Sequence, residues 1–207
     1  MKIKVLFILL LLTSPSFWLV IFHLPQAFSY WQRLPQSVVA NIKSKSQSQY
    51  LIYIDELRWA GRGFHRNDLL SRILYNKSLF ILNEFFDFVQ YTQPKLYFLA
   101  GDGSVFSPRR LEPISSLLFP FWILGILHLL KNRNSLRPVA GIFVIPYSIF
   151  MLIGYASGQK NLALLFPILI LNVYISTLGL KNFKSITPFV LTYGLYITGM
   201  NIWLSIS

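Results

Sequence analysis

Apolar and polar residues alternate along the chain in long stretches, which divide it into five apolar blocks and one polar segment. The blocks cover residues 3–24, 114–130, 138–156, 161–180 and 186–205. Since a hydrocarbon core about 30 Å thick needs roughly 20 helical residues, each block has about the length of a membrane-spanning helix. The pattern predicts an all-α integral membrane protein: a transmembrane helix within 1–24, a large loop at 25–113 and a four-helix transmembrane bundle within 114–207.

The first block contains a proline and also resembles a signal peptide. Pro15 predicts a kink rather than an end of the helix, because transmembrane helices tolerate proline. Lys2 and Lys4 precede the apolar run, and residues 27–29, Ala-Phe-Ser, form a candidate cleavage site. The apolar run continues through Phe22, beyond the roughly 7 to 15 residues of a signal peptide. An uncleaved first helix is therefore expected.

The placement of charge predicts an orientation in the membrane. All seven acidic residues lie between the first and second blocks: Asp55, Glu56, Asp68, Glu84, Asp87, Asp102 and Glu112. Seven bases fall on one side of a five-helix bundle: Lys2, Lys4, Lys131, Arg133, Arg137, Lys181 and Lys184. Because short cytoplasmic loops carry an excess of Lys and Arg, the chain is predicted in the plasma (inner) membrane with its N-terminus cytoplasmic and 25–113 extracytoplasmic.

Composition agrees with a membrane class and excludes others. Of the 207 residues, 54% are apolar and 13% are charged, outside the range of an ordinary soluble domain. The net charge of +12 is explained by the bases at the helix ends, so no nucleic-acid partner is expected. Cysteine is absent, which excludes disulfides, thiolate nucleophiles and Cys-ligated metals.

The long loop is predicted to contain an amphipathic helix. Asn67 is a candidate N-cap, and apolar residues then recur at helical intervals up to Gln90. This helix is expected to lie on the outer leaflet or on the helical bundle. Residues 43–49, rich in Lys, Ser and Gln, predict a solvated turn.

Three features contain residue types that can carry chemistry. Adjacent Asp55 and Glu56 have the residue type of a general base or a metal ligand, but Arg58 and Arg62 follow closely, so a surface pair with local salt bridges is favoured. Residues 101–103, Gly-Asp-Gly, predict a turn rather than a dinucleotide fingerprint. The histidines make no ligand spacing, so no metal site is predicted: His23, His65 and His128.

Three bases are the candidates for binding a lipid or substrate phosphate. Arg109 and Arg110 precede the second block, where guanidinium groups either bind a phosphate or anchor the chain at the interface. Lys160 is the base that opposes the charge bias, at an outer helix end where it either binds an anion or snorkels at a wet turn. No catalytic residue and no cofactor is assigned.

From Ile54 to Leu180 the order of segments adds a family resemblance. An outer helix is followed by PKLYFLAGDG, by LLFPFWILGILHLL, by a basic inner loop, by a segment with IPYSIF and by LLFPILILNVYISTLGL. This series resembles the carboxy-terminal half of bacterial GT-C type membrane glycosyltransferases, the protein mannosyltransferase-like class that uses polyprenyl-phosphate sugars. Lys160 lies where that family often has an arginine near the lipid phosphate.

The resemblance implies a protein that does not act alone. The family's catalytic acid lies upstream of the matched region, so the chain is expected to be a non-catalytic C-terminal portion or split subunit, contributing a cavity wall and a loop cover. Its expected partners are the lipid bilayer, a polyprenyl-phosphate sugar and a protein that supplies the catalytic half. The alternatives are a non-enzymatic membrane protein whose outer loop binds a partner or lipid surface, and a small transporter subunit.

Overall fold

The described part of the chain is helical. The computed structural model describes residues 2–46, 49–75, 78–99, 101–109, 111–131 and 133–206. The α-helices are α1 (Ile3–Leu12), α2 (Pro15–Phe22), α3 (Leu24–Gln32), α4 (Leu34–Ser46), α5 (Gln49–His65), α6 (Asp68–Leu74), α7 (Ser78–Val89), α8 (Pro94–Phe98), α9 (Phe119–Lys131), α10 (Arg133–Ser157), α11 (Phe166–Leu180) and α12 (Thr187–Ile206). Within the described ranges, β-structure is limited to an isolated bridge between Ser104 and Ser107. The all-α prediction is confirmed.

Helix α11 lies at the centre, packed against α9, α1 and α10. It contacts α9 most closely because two glycines face each other. A Cβ on Gly125 would lie 2.0 Å from the carbonyl oxygen of Ile175, and a Cβ on Gly179 would lie 1.9 Å from that of Phe121. The Trp122 indole N–H donates to the Asn172 side-chain oxygen at 2.9 Å across the same contact. Small residues therefore set the distance between these helices.

The first apolar block is not one kinked helix, so that prediction is wrong. Helix α1 ends at Leu12, α2 begins at Pro15, and the two are bent by 68°. Proline lacks an N–H and disfavours helical geometry at the residue before it, and Ser14 is extended. The carbonyl of Thr13, a buried residue at this break, accepts a hydrogen bond from the Thr198 hydroxyl of α12 at 2.6 Å, so the break is also a packing site.

The other four apolar blocks are helical, with later starts than predicted for two of them. Helix α9 begins at Phe119 after a 3₁₀ turn at Ser116–Leu118, and α11 begins at Phe166 rather than at residue 161. Pro167, in the first turn of α11, fits that start because its missing N–H has no helical partner there. Among the described residues, no single helix is both long and apolar enough to cross a membrane; α1 and α2 together meet that test.

The segment between the blocks is more helical and more divided than predicted. Asn67 caps α6, accepting hydrogen bonds from the N–H groups of Leu69 (2.9 Å) and Leu70 (3.3 Å). The single helix expected after it is wrong, because α6 ends at Leu74 and the backbone of Tyr75, the next residue, is not helical. The turn predicted from residue 43 is also wrong as far as Ser46, since α4 continues to that residue.

The contact between α9 and α11 gives a testable expectation. Changing Gly179 to Ala places a methyl group against the backbone of α9, and overpacking of this kind costs roughly 1–3 kcal/mol. We expect the midpoint of thermal unfolding in detergent, followed by helical circular dichroism, to fall by several degrees.

The matched control is Gly199→Ala, on α12. No heavy atom lies within 4 Å of a Cβ at Gly199, so this change should leave the midpoint unchanged or raise it slightly, as alanine favours a helix over glycine. Equal effects of the two changes would contradict the close approach of α9 and α11.

Candidate functional site

Three side chains from α4, α7 and α10 form a polar cluster near the C-terminal end of α10. The Lys45 ammonium donates a hydrogen bond to the Glu84 carboxylate. The Tyr155 hydroxyl donates to the same carboxylate oxygen. The Lys45 nitrogen also lies 3.8 Å from the centroid of the Tyr155 ring. The cluster therefore joins α4 and α7, which belong to the segment between the blocks, to the apolar helix α10.

The Lys45–Glu84 pair is shielded from water and stays charged. Only 28% of the Lys45 side chain and 17% of the Glu84 side chain are exposed. Burial alone would raise the pKa of Glu84, but the hydrogen bonds from Lys45 and Tyr155 outweigh it, and the pKa is lowered. Burial would likewise lower the pKa of Lys45, but the contacts with Glu84 and Tyr155 raise it. Both shifts favour the ion pair.

Asn41, one turn before Lys45, terminates α10. Its side-chain N–H₂ donates to the carbonyl oxygens of Tyr155 (3.1 Å) and Ala156 (3.0 Å), which lie in the last turn of that helix. Gly158 then turns the chain with a φ of +67°, and a Cβ there would lie 2.7 Å from the Asn41 oxygen. Only glycine fits this turn without strain.

Lys160 follows this turn and lines a cavity of about 230 Å³. The cavity walls are Asn41, Lys45, Asp87, Tyr91, Tyr155, Gly158 and Lys160. The Lys160 ammonium donates to the side-chain oxygen of Gln90 and lies 5.9 Å from the centroid of the Tyr91 ring. Gln90 donates in turn to Asp87 at 3.3 Å. Lys45 and Lys160 therefore both line the cavity, together with the acid Asp87 and the phenol rings of Tyr91 and Tyr155.

Lys160 also lines a second cavity, of about 260 Å³, on the side of the Gly-Asp-Gly turn. Asp102 accepts hydrogen bonds from the Ser104 N–H (2.8 Å), the Ser104 hydroxyl (2.6 Å) and the Leu162 N–H (2.6 Å). Gly103 has a φ of +81°. The motif is therefore a turn, as predicted, and it fastens the connection between α10 and α11.

The structure separates the three basic candidates. Lys160 lies between the two polar cavities. Arg109 is exposed and packs over Gly103, its Nε 3.2 Å from the Cβ position of that glycine, and it lines neither cavity. Arg110 lies outside the described residues. Asp55 and Glu56 are exposed on α5, where Asp55 lies 3.5 Å from Arg58, away from the residues that line these cavities.

Sequence reasoning missed most of the site. Asn41 and Lys45 are four residues apart, and Glu84 and Asp87 are three apart, so each pair lies on one face of a helix. On α7 this spacing is enough to predict that the two acids share a face. On α4 it is not, because the Lys, Ser and Gln residues of 43–49 predict a turn rather than a helix.

Comparison with protein-family models, with curated protein sequences and with solved structures finds no match to the chain. The resemblance to the GT-C type glycosyltransferases therefore stays a prediction from the segment order. The geometry of the site has to support any function on its own.

The ion pair gives a testable expectation for stability. Glu84→Gln removes the charge that Lys45 and Tyr155 contact, and a hydrogen bond to a charged group contributes about 1.5–3 kcal/mol. We expect a lower midpoint of thermal unfolding in detergent near neutral pH. Glu56→Gln, at an exposed site on α5, should change the midpoint little.

The same pair predicts a pH dependence. Because the folded pKa of Glu84 is lowered, its contribution is complete above the pKa of an unfolded glutamate and is lost as pH falls through the folded value. Acidification should therefore destabilise the wild-type chain more than Glu84→Gln. Parallel pH profiles for the two proteins would contradict the ion pair.

Proposed function

We propose that the chain is an integral membrane protein whose later apolar helices lie in the bilayer. The support is the side chains that α9, α10 and α12 turn outward, which are large and apolar: Ile123, Leu124, Leu127, Leu130, Ile145, Ile149, Leu152, Phe189, Leu195, Tyr196, Met200 and Trp203. Soluble monomers rarely expose so continuous an apolar surface. The sequence places no acidic residue in these helices.

The orientation proposed here places the candidate site on the extracytoplasmic side of the inner membrane. Lys131 and Arg133 lie at the junction of α9 and α10, and Lys181 and Lys184 lie between α11 and α12. These basic connections belong at the cytoplasmic surface. Lys160, at the opposite end of α10, then lies outside, together with residues 25–113.

We further propose that the site binds the phosphate of a lipid-linked sugar, and that the chain is a non-catalytic portion or split subunit of a glycosyltransferase using such a donor. The observation that carries this proposal is the position of Lys160 between two polar cavities at the outer end of an apolar helix. A phosphate is a stronger acceptor for its ammonium than the neutral amide of Gln90. Lys45 lines the first of these cavities together with Lys160.

The chain is not assigned a catalytic role. Glu84 is occupied by Lys45 and Tyr155, and Asp87 accepts a hydrogen bond from Gln90. Sugar transfer would need a partner protein that supplies the catalytic acid, while this chain contributes the phosphate contact and one wall of the cavity.

The alternative is a non-enzymatic membrane protein whose outer segment binds a partner or a lipid surface. It is favoured by two aromatic side chains on α5, Trp59 and Phe64, which are 79% and 86% exposed. Exposed aromatic groups are common at membrane and protein interfaces. This function would not require a phosphate at Lys160.

Binding of a polyprenyl phosphate to the purified chain separates the two functions. We expect the phosphate to bind more tightly than the matching polyprenol, and Lys160→Ala to reduce that preference. Loss of a charge-assisted hydrogen bond, about 1.5–3 kcal/mol, corresponds to roughly a 10- to 100-fold weaker affinity.

The control is Lys181→Ala, on the opposite side of the proposed membrane, which should bind as the wild type does. Equal affinity for the phosphate and the alcohol, or no effect of Lys160→Ala, would contradict phosphate binding at this site.

A further inference from the structure

Helix α7 has its charges on the inside and its apolar side chains on the outside. Glu84 faces Lys45 and Tyr155, and the Phe88 ring packs edge-on against the Tyr155 ring at 5.7 Å. The opposite face carries four exposed apolar side chains: Ile81, Leu82, Phe85 and Phe86. Asn83, also on this face, is uncharged. This arrangement is the reverse of that in a helix on the surface of a soluble protein.

Helix α4, beside it, also has polar side chains facing α10 and apolar side chains facing outward. Asn41 and Lys45 face α10, while Val39 and Ile42 point outward and are 66% and 60% exposed. Lys43, next to Ile42, is also exposed, so the outer surface of α4 is less uniformly apolar than that of α7. Both helices carry large apolar side chains on their outward faces.

An open cavity of about 570 Å³ lies between α4, α7 and α10. Its lining includes the apolar residues Ile42, Leu51 and Leu152 together with the polar cluster. Leu152 belongs to the exposed apolar side of α10, with Ile149 one turn before it. The outward faces of α4 and α7 are therefore continuous, through this cavity, with the surface of α10.

We propose that α4 and α7 are embedded in the outer leaflet, where their outward apolar side chains contact lipid hydrocarbon and a lipid chain occupies the cavity between α4, α7 and α10. The proposal rests on the membrane placement given above. Lipid is favoured as the occupant because the outward face of α7 has no charge among its described side chains with which to orient a protein partner, and because it continues the surface of α10.

The arrangement gives the polar site an opening toward the bilayer. Asn41, Lys45 and Tyr155 line both the apolar cavity and the smaller polar cavity next to it. An amphiphile whose chain lies among Ile42 and Leu152 would therefore present its headgroup to Lys45. Part of the segment that the sequence pattern assigns to an extracytoplasmic loop would then be membrane-embedded.

Spin labels on single cysteines test this placement, since the chain has no native cysteine. The full chain is reconstituted in vesicles of phosphatidylethanolamine and phosphatidylglycerol, with the label at Phe85→Cys or Ile42→Cys. The measurement is relaxation by oxygen, which concentrates in hydrocarbon, against relaxation by a water-soluble nickel complex. Glu56→Cys, on an exposed site of α5, is the aqueous control, and Leu127→Cys, on α9, is the bilayer control.

We expect the oxygen-to-nickel ratio at Phe85→Cys and Ile42→Cys to match that at Leu127→Cys and to exceed that at Glu56→Cys severalfold. Nickel access at Phe85→Cys with oxygen access at Leu127→Cys would overturn this inference alone. Nickel access at Leu127→Cys as well would overturn the membrane placement itself. Spin–spin broadening at Phe85→Cys that disappears on dilution with unlabelled chain would instead identify a second copy as the occupant and also overturn the inference.

Discussion

The cluster of Lys45, Glu84 and Tyr155 joins the segment between the first two apolar blocks to the apolar helix α10. One partner of the ion pair comes from α4, the other from α7, and Tyr155 on α10 completes the contact. Both charges are partly buried, so removing one partner would leave the other poorly solvated and would destabilise the fold. The positions of α4 and α7 against α10 therefore depend on each other. The polar cavity beside the pair follows from that positioning, since all three helices contribute to its lining.

A second constraint on the fold is the close packing of helices whose side chains are mostly apolar. Gly125 and Gly179 let α9 and α11 meet backbone to backbone, and Thr198 satisfies the carbonyl left open where α1 ends. Small residues and single hydrogen bonds of this kind hold helices together when the surroundings are as apolar as the contacts. Under the proposed membrane placement, the outward apolar faces of α7, α9 and α10 are explained by contact with lipid. Apolar groups outside and charges inside suit a bilayer and not water.

Helix content was predictable from periodicity, but long-range contacts were not. Each of the four later apolar blocks contains a helix, because helical segments of that composition are recognisable one at a time. The prediction that Pro15 only kinks the helix is wrong because a proline can either kink or end a helix. The outcome depends on which group satisfies the freed carbonyl, and here that group is the Thr198 hydroxyl. Lys160 was found as a candidate because its charge opposes the pattern. Its neighbours Asn41, Lys45 and Glu84 were not, since their proximity arises from the packing of α4 and α7 on α10.

The proposed membrane placement requires that Lys160 and Lys181, which flank α11, lie on opposite sides of the membrane. Because the chain has no cysteine, Lys160→Cys and Lys181→Cys can each be labelled with a membrane-impermeant maleimide in intact cells whose outer barrier has been opened. We expect Lys160→Cys to react directly and Lys181→Cys to react only after the inner membrane is permeabilised. Equal labelling of both cysteines before permeabilisation would contradict that placement.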